Sequence, residues 1–233
     1  MKFETYVKEI MPRISDVSSF RFPRPSELDY KPGQYMLATI RSGEKELMHP
    51  FSFSSSPTEN DFVEFTKKFT ASEYSATLKT LKAGSWARID APYGKFTFEG
   101  EYEKIGLLTG GIGITPFRSI CKYCTDKSLN NNIVLLYGCR SPSEIAFKNE
   151  FEEMQKQNHN LKVVFTVNEP NSEWKSSVGN INVEMVKKEM PDYKERTLYS
   201  CGPPGMVQAM MNLVKELGLP STQLKLESFA GHT

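Results

Sequence analysis

Short apolar runs separated by turn-forming residues fill the first hundred positions of the chain. The clearest runs cover residues 17–22, 35–40, 51–54, 62–69 and 86–89. Proline, glycine and serine stand between them, where reversals of an extended chain need such residues. This texture predicts an antiparallel barrel or sandwich. One helix is predicted within it at residues 72–81, because Ser72 or Thr70 can cap the first turn and Glu73 complements the positive end of the helix dipole.

The pattern changes after about residue 99. Buried-looking runs now alternate with segments of helical periodicity, and these runs lie at residues 105–109, 133–137, 163–167, 197–200 and 224–226. Such alternation is typical of a parallel sheet covered by helices on both faces. We therefore expect two domains: an antiparallel β domain at residues 1–99, followed by an α/β domain with a five-stranded parallel sheet at residues 100–233.

Composition and charge narrow the classes of partner. The chain has 233 residues, which is enough for two domains that each bury a core. Its 29 Lys and Arg residues balance 28 Asp and Glu residues, and this balance argues against a nucleic-acid partner. No apolar run has the length of a membrane span, and the charged N-terminal segment lacks the features of a secretory signal. A cytoplasmic protein without a membrane span is expected.

The cysteines predict no metal centre. Cys121 and Cys124 form a C-x-x-C pair, but Cys139 and Cys201 stand alone, so neither a zinc ribbon nor a plant-type iron-sulfur spacing is present. Cys121 and Cys124 lie one turn apart on a predicted helix, where packing is favoured over a redox role. If electrons pass through this chain, we do not expect it to carry its own cluster.

Three predicted strand exits in the second half contain glycine. The first is residues 110–116 (GGIGITP), a turn that presents backbone N–H groups at the start of a helix and so suits a pyrophosphate. It departs from the G-x-G-x-x-G fingerprint because Pro116 stands at the third glycine position, and a tight turn without a ligand is the alternative. The other exits are residues 138–140 (GCR) and 201–206 (CGPPGM). Since parallel strands end at one edge of a sheet, a ligand shared by the three exits is expected.

A second candidate site lies in the first half. Residues 49–55 (HPFSFSS) place aromatic rings beside hydroxyl groups on an alternating strand. A flat heteroaromatic ligand needs a flat apolar face and hydrogen-bond donors together. An ordinary strand is the alternative interpretation.

In order and spacing, six motifs together resemble the ferredoxin-NADP reductase superfamily. They are residues 32–35 (PGQY), 49–52 (HPFS), Ser75-x-x-Leu78, residues 91–94 (APYG), 110–116 (GGIGITP) and 201–206 (CGPPGM), and they span essentially the whole chain. The resemblance implies a flavin-binding barrel and a nicotinamide-binding domain, with the two rings stacked at the domain junction. It implies an NAD(P)H oxidoreductase without an iron-sulfur domain, in which hydride passes from the nicotinamide to flavin N5 and electrons pass on to ferredoxin, another redox protein or a different acceptor.

Residues matching the family's flavin site come from the first half and from the C-terminus. By this resemblance Phe51 stacks on the isoalloxazine and the Ser52 hydroxyl lies near flavin N5, with Pro50 and Phe53 beside them. The first-turn amides that hold the flavin phosphate belong to Tyr74, Ser75 and Ala76. Glu227 and Phe229 match the family's carboxylate and aromatic near the flavin.

The nicotinamide nucleotide is assigned to two of the glycine exits. The matching residues are Gly110, Gly111, Gly113, Thr115, Pro116, Cys201, Gly202, Pro203 and Met206. The resemblance places Cys201 beside the nicotinamide ring, so the candidate catalytic residues are Ser52, Cys201, Glu227 and Phe229.

Two positions bear on cofactor choice. The family usually has arginine where His49 stands, and a histidine near its reference pKa of about 6.5 is only partly charged at neutral pH. FAD is the expected flavin, with FMN as the alternative that this histidine leaves open. The third strand of the α/β domain leads to Glu169, whose carboxylate would repel a 2′-phosphate and so favours NADH, while Arg140 and Lys148 leave NADPH as the alternative.

These motifs do not identify the electron acceptor. Lys67, Lys68 and Lys95 are candidates for a basic docking face toward an acidic carrier, although a solvated surface is the commoner meaning of lysines. A monomer or a subunit of a redox complex is expected. Two other classes stay open: an electron-transfer subunit of a larger oxygenase or iron-sulfur complex, and a flavin-free nucleotide-binding regulatory module.

Overall fold

A computed structural model of the chain describes residues 1–229. The chain divides into two compact units. The N-terminal unit contains Met1–Glu99 together with Thr115–Tyr123, and the second unit contains Gly100–Ile114 and the described residues from Cys124 onward. Among residues 1–229, no helix is both long and apolar enough to cross a membrane.

Antiparallel strands build the N-terminal unit, as predicted. Within residues 1–99 they are β1 (Lys2–Tyr6), β2 (Glu9–Ile14), β3 (Val17–Pro23), β4 (Tyr35–Ser42), β5 (Lys45–Ser52), β6 (Phe62–Lys68) and β7 (Trp86–Tyr93). One sheet has the order β1-β7-β4-β5 and the other β2-β3-β6. An isolated antiparallel bridge between Phe53 and Phe65 links the end of β5 to β6, so the predicted run at 51–54 crosses a strand end at Ser52.

Aromatic side chains fill the interior of the N-terminal unit. The ring of Phe65 stacks on those of Phe20 (5.3 Å between centroids) and Phe51 (4.2 Å). The predicted helix is α1 (Glu73–Thr80), and the Ser72 hydroxyl accepts a hydrogen bond from the amide of Ser75, as an N-cap does. Tyr74 packs inward from α1 and donates a hydrogen bond to the carbonyl of Ala38 (3.0 Å).

The second unit is built on a parallel sheet. Its strands are β8 (Lys104–Gly110), β9 (Asn132–Cys139), β10 (Leu161–Val167), β11 (Ser177–Val178), β12 (Thr197–Gly202) and β13 (Leu224–Ser228), in the order β11-β10-β9-β8-β12-β13. The sheet has six strands, so the expected five were wrong. The additional strand β11 pairs with β10 over only two residues, which is too short to produce a hydrophobic pattern.

Helices follow most strands of this sheet. They are α2 (Thr115–Asp126), α3 (Lys148–Gln157), α4 (Val183–Glu189) and α5 (Pro204–Glu216). Cys121 and Cys124 lie in α2 as buried thiols that form no disulfide, and burial raises the pKa of Cys124 to about 12. A thiol with such a pKa is inert at neutral pH, which agrees with the packing interpretation.

The parallel arrangement brings the carboxyl ends of β8, β9, β10 and β12 to one edge. In register, Gly110 of β8 lies opposite Gly138 of β9, and Thr109 lies opposite Cys201 of β12. On the other side of β12, Cys201 lies opposite Glu227 of β13. The glycine-containing exits are therefore neighbours at the edge where open α/β sheets bind ligands.

Candidate functional site

The end of β5 carries the predicted flavin contacts. Phe51 is only 5% exposed and one face of its ring is covered by Phe65, while Ser52 is 8% exposed. Stacking of the flavin on the other face of the Phe51 ring stays a prediction. Phe53 is fully buried and stacks on Tyr30 at 4.0 Å. The structure therefore places Phe53 in the core instead of in a cofactor contact, because no part of its ring is accessible; Pro50 is exposed.

At the start of α1, two of the backbone amides predicted to hold a phosphate donate hydrogen bonds to Ser72. The amide of Ser75 donates to the Ser72 hydroxyl (3.3 Å) and the amide of Ala76 donates to the Ser72 carbonyl (3.0 Å). In this structure the amides of Ser75 and Ala76 already have acceptors, and phosphate binding by them stays a prediction. Glu73, Tyr74 and Ser75 have no helix carbonyl one turn earlier to accept from their amides, and of these three amides the Ser72 side chain caps that of Ser75. Of the three predicted amides, the one of Tyr74 is thus available to an anion.

His49 lies between these two elements. Its ring meets that of Tyr74 edge-on, with 4.7 Å between centroids, and that of Phe51 at 6.4 Å. Burial and the positive charge of Lys67 lower the pKa of His49 below its usual value of 6.5. A smaller fraction of His49 is therefore charged at neutral pH than its usual pKa implies.

Of the three candidate docking lysines, Lys67 does not lie on the surface. Lys67 is only 7% exposed, whereas Lys95 is exposed and Lys68 is 43% exposed and pairs with Asp16 (3.3 Å). Alternation along β6 puts Lys67 on the same side as Phe65 and Lys68 on the other side, but Glu64 and Thr66 on that other side are buried too. Alternation alone therefore does not predict which lysine is exposed.

At the edge predicted to bind the nicotinamide nucleotide, β8 leads into a 3-10 turn, Gly111–Ile114, and α2 begins at Thr115. Thr115 and Pro116 are buried, while Gly111 is exposed with a φ of +53°. Gly113 is tightly enclosed, because a Cβ atom there would lie 2.5 Å from the carbonyl oxygen of Cys201. The turn is thus packed directly against the end of β12.

Cys201 joins the two exits. Its side chain is fully buried, and its thiol donates a hydrogen bond to the carbonyl of Gly113 (2.9 Å). Burial, with the nearby Glu227 carboxylate as a second cause, raises the pKa of Cys201 well above its ordinary value. A neutral thiol in this position orients the turn and does not act as a nucleophile.

The residues after Cys201 shape the exit itself. Gly202 has a φ of +149°, a conformation that suits glycine, and a Cβ atom there would lie 3.2 Å from the sulfur of Met206. The same sulfur would lie 3.3 Å from a Cβ atom at Gly110. Met206 is half-buried and Pro203, which precedes α5, is exposed. Gly110, Gly202 and Met206 therefore meet at this edge as predicted.

Strand β13 brings Glu227 and Phe229 to this edge. The amide of Phe229 donates to the carbonyl of Gly202 (2.9 Å). The Oε2 atom of Glu227 is buried and has no hydrogen-bond partner within residues 1–229. Burial raises the pKa of Glu227 to about 7. Three of the four candidate catalytic residues, Cys201, Glu227 and Phe229, are thus neighbours in the second unit.

The third exit pairs two opposite charges. Nε of Arg140 lies 2.9 Å from Oε1 of Glu169, and the amide of Glu169 donates to the carbonyl of Arg140 (2.7 Å). Both side chains are more than half exposed, at 70% and 60%. Lys148 instead lies near Glu152, at 3.7 Å. Arg140 and Glu169 therefore present one ion pair at the ends of β9 and β10.

The residues of the N-terminal unit fit a flavin nucleotide. An aromatic ring and a hydroxyl stand side by side at Phe51 and Ser52, and helix α1 starts beside His49. The glycine turn and the end of β12 supply the close backbone approach that a nicotinamide nucleotide needs. Within residues 1–229, no group of three or more His, Cys, Asp or Glu side chains is arranged to hold a metal ion.

Two family models match the chain. An oxidoreductase FAD-binding domain matches residues 6–98 and an oxidoreductase NAD-binding domain matches residues 107–212. NADH-cytochrome b5 reductase 1 of Ajellomyces capsulatus is 28% identical over 97% of this chain and 77% of its own length. The glycine betaine monooxygenase reductase subunit of Pseudomonas aeruginosa is 28% identical over 92% of this chain, which spans 60% of that subunit.

Solved structures share the fold over nearly the whole chain. The cytochrome b5 reductase domain of Ulva prolifera nitrate reductase has a TM-score of 0.86 at 22% identity, covering 97% of each chain. A ferredoxin NADP+ reductase from Neisseria gonorrhoeae with bound FAD and NADP has a TM-score of 0.84 at 17% identity, covering 97% of this chain and 98% of its own.

Proposed function

Since the chain belongs to the ferredoxin-NADP reductase superfamily of flavin-dependent NAD(P)H oxidoreductases, we propose that it is an NADH-preferring reductase that delivers electrons to a separate redox protein. The observation that carries the reaction class is the succession of an FAD-binding domain and an NAD-binding domain along one chain. A bound FAD would supply hydride acceptance at its N5 atom from nicotinamide C4 and release of the two electrons singly or together.

The chain's own residues bind the two nucleotides and orient them. The turn at Gly111–Ile114 offers backbone amides to the pyrophosphate, and the Cys201 thiol holds that turn against β12. The Ser52 hydroxyl is the proposed hydrogen-bond donor to the flavin. Glu227 holds a proton on its buried carboxyl below about pH 7, and Phe229 is anchored to Gly202 by its amide. Fixing both reactants in one orientation raises their effective concentration for transfer.

The Arg140–Glu169 pair supports the preference for NADH. The Glu169 carboxylate can accept a hydrogen bond from a free ribose 2′-hydroxyl, and it repels a 2′-phosphate. It also accepts a hydrogen bond from the Arg140 guanidinium, which would otherwise be available to bind that phosphate. The pair therefore works against NADPH in two ways.

Glu169→Gln is expected to shift the nucleotide preference toward NADPH by about tenfold, because the substitution removes one charge and releases Arg140. The ratio of kcat/KM for NADH to that for NADPH measures the shift. Glu173→Gln is the matched control, since Glu173 is an exposed carboxylate on the same loop. An unchanged ratio in Glu169→Gln would remove this pair from nucleotide selection.

A separate redox protein as acceptor is supported by the names of two relatives, a cytochrome b5 reductase and a monooxygenase reductase subunit. The name of the second relative favours one variant of the proposal. In this variant the chain is a subunit that reduces its physiological acceptor only within a complex. Artificial acceptors reduced by the isolated chain, with physiological turnover only after a partner is added, distinguish this variant from a self-sufficient reductase. The cytoplasmic location expected from the N-terminal segment stays a prediction.

Anaerobic titration of the purified chain tests the proposal. Stoichiometric NADH is expected to bleach the flavin absorbance, with NADPH acting more slowly, and a one-electron carrier protein added afterwards is expected to restore the absorbance. Cytochrome b5 and a plant-type ferredoxin are suitable probes, with ferricyanide as the positive control. A purified chain that is colourless and takes up no added FAD contradicts the proposal.

A further inference from the structure

Tyr137 is a fully buried tyrosine whose hydroxyl group reaches the glycine turn of the second unit. Its ring lies on β9 and packs near the rings of Phe151 (6.5 Å between centroids) and Phe165 (6.2 Å). The hydroxyl donates a hydrogen bond to the carbonyl of Gly111 (3.1 Å). A buried tyrosine needs a hydrogen-bond partner, and here that partner is the first residue of the Gly111–Ile114 turn.

The register of the sheet places Tyr137 in one row with Cys201. Both lie opposite Thr109, Tyr137 on β9 and Cys201 on β12, and these are the two strands that flank β8. Side chains in one row of a sheet point to the same face. From that face the Tyr137 hydroxyl reaches the carbonyl of Gly111, and the Cys201 thiol reaches the carbonyl of Gly113 (2.9 Å). Two buried donors, one on each side of β8, therefore hold two carbonyls of the turn.

The carbonyl of Gly111 needs such a partner if the turn is to bind an anion. Glycine has more conformational freedom than any other residue, so the direction of its carbonyl is not fixed by its own backbone. Carbonyl and phosphate oxygens are both hydrogen-bond acceptors, and a carbonyl that faces a phosphate repels it. The hydrogen bond from Tyr137 draws the Gly111 carbonyl toward the buried hydroxyl and so keeps it in one direction before any ligand binds.

Gly111 also has open space beside it. It is exposed, with a φ of +53°, and a Cβ atom placed on it would have no other atom within 4 Å. Gly113, by contrast, is enclosed by the end of β12. The turn therefore has room for a ligand at the residue whose carbonyl Tyr137 holds.

The Tyr137 hydroxyl is a permanent donor. Burial raises the pKa of Tyr137 well above its ordinary value of 10, so the hydroxyl keeps its proton at neutral pH. Unlike a buried cation, it carries no charge that would require a counter-ion. Such a group can fix a carbonyl without itself attracting the nucleotide.

We propose that Tyr137 is a positioning residue for the nicotinamide nucleotide, whose hydroxyl holds the carbonyl of Gly111 turned away from the pyrophosphate. This inference rests on the proposed function, in particular on pyrophosphate binding at the Gly111–Ile114 turn. The oxidoreductase NAD-binding domain matched at residues 107–212 includes both Tyr137 and Gly111. Tyr137 acts on nucleotide affinity through Gly111 and takes no part in hydride transfer.

Tyr137→Phe in the full-length chain tests the proposal, because it deletes the hydroxyl and keeps the ring beside Phe151 and Phe165. ADP-ribose, which contains the pyrophosphate but no nicotinamide ring, is expected to bind about tenfold more weakly, the effect of losing one hydrogen bond. Adenosine, which contains no phosphate, is expected to bind as it does to the wild type. Calorimetric titration measures the first affinity, and competition with ADP-ribose measures the second.

Tyr199→Phe is the matched control. Tyr199 is also fully buried, and it lies on the same face of the sheet, two residues before Cys201 along β12. Its hydroxyl is hydrogen-bonded to Glu101 instead of to the turn. Tyr199→Phe is therefore expected to bind ADP-ribose as the wild type does, although it too loses a buried hydroxyl.

The kinetics separate positioning of the nucleotide from catalysis. In Tyr137→Phe the KM for NADH is expected to rise, while the rate of flavin reduction at saturating NADH stays within about twofold of the wild-type rate. A pyrophosphate contact is equally strong in the ground state and in the transition state, so its loss changes KM and not kcat. A variant that is only less stable keeps both quantities at temperatures where it is folded.

Three results would overturn the inference. Unchanged ADP-ribose affinity in Tyr137→Phe would show that the Gly111 carbonyl does not depend on this hydroxyl for its direction. Equal weakening of ADP-ribose and adenosine would show that the whole site has moved, and a slower limiting rate with unchanged KM would place the effect on the reacting rings. Failure of the wild-type chain to bind ADP-ribose and to be reduced by NADH is a different result, which contradicts the proposed function together with this inference.

Discussion

Replacing Gly113 by alanine is expected to slow reduction by NADH at least about a hundredfold while the flavin stays bound. The added Cβ atom would lie 2.5 Å from the carbonyl oxygen of Cys201 and 2.6 Å from Oγ1 of Thr109. Backbone at the end of a central strand cannot give way as a flexible side chain can, so the turn must move off β12. Overpacking of this kind costs about 1–3 kcal/mol or more, and it breaks the hydrogen bond between the Cys201 thiol and the turn.

Stopped-flow measurement of flavin reduction checks this outcome. A fall of at least about a hundredfold at fixed NADH is expected, equivalent to nearly 3 kcal/mol, with the flavin absorbance retained at full intensity. Gly205→Ala is the matched control, because no atom lies within 4 Å of a Cβ atom placed there. A wild-type rate in Gly113→Ala would show that the turn tolerates displacement and that its amides do not hold the nucleotide.

The turn at Gly113 also shows what the sequence predicts well. A buried run, three glycines and a following helix are local features, so the strand, the turn and α2 could be placed before any pairing was known. The enclosure of Gly113 could not, because it depends on β12 lying beside β8, and residues 109 and 201 are distant along the chain. For the same reason β11 was missed: its two residues form a strand only by pairing with β10.

The flavin side shows where residue type misleads. Lysine is rarely buried, so Lys67 was grouped with surface lysines, although its side chain is only 7% exposed in the folded chain. The charged fraction of His49 was overestimated for a related reason, since its reference pKa takes no account of burial or of a neighbouring ammonium. Both corrections concern electrostatics, which depends on tertiary neighbours far more than secondary structure does.

Because the carboxyl of Glu227 is buried, the free energy of unfolding is expected to depend on pH. The pKa of Glu227 rises from 4.5 to about 7 on folding, because burial disfavours the charged form. A group whose pKa is raised on folding contributes stability that is fully present below its unfolded value and is lost as pH rises through its folded value. The wild-type second unit is therefore expected to lose about 3 kcal/mol between pH 4.5 and pH 8 from this group, at 1.36 kcal/mol per pKa unit.

Glu227→Gln is expected to remove that loss, since glutamine stays neutral throughout. At pH 8 the variant is expected to be more stable than the wild type by an amount approaching about 3 kcal/mol, with the two converging below pH 5. Urea unfolding followed by Trp174 fluorescence in a Trp86→Phe background reports on the second unit, because the chain has two tryptophans and Trp174 lies in that unit. Glu173→Gln, an exposed control, is expected to keep the wild-type slope.

The same substitution connects stability to catalysis. A carboxyl that titrates near pH 7 next to Cys201 gives the rate of flavin reduction an inflection near that pH if its proton matters for the reaction. Glu227→Gln is then expected to flatten both profiles together, the unfolding free energy and the reduction rate. A flat unfolding profile with an intact kinetic inflection would assign the proton to another group, whereas an unchanged unfolding profile would show that the Glu227 carboxyl is solvated in the folded chain.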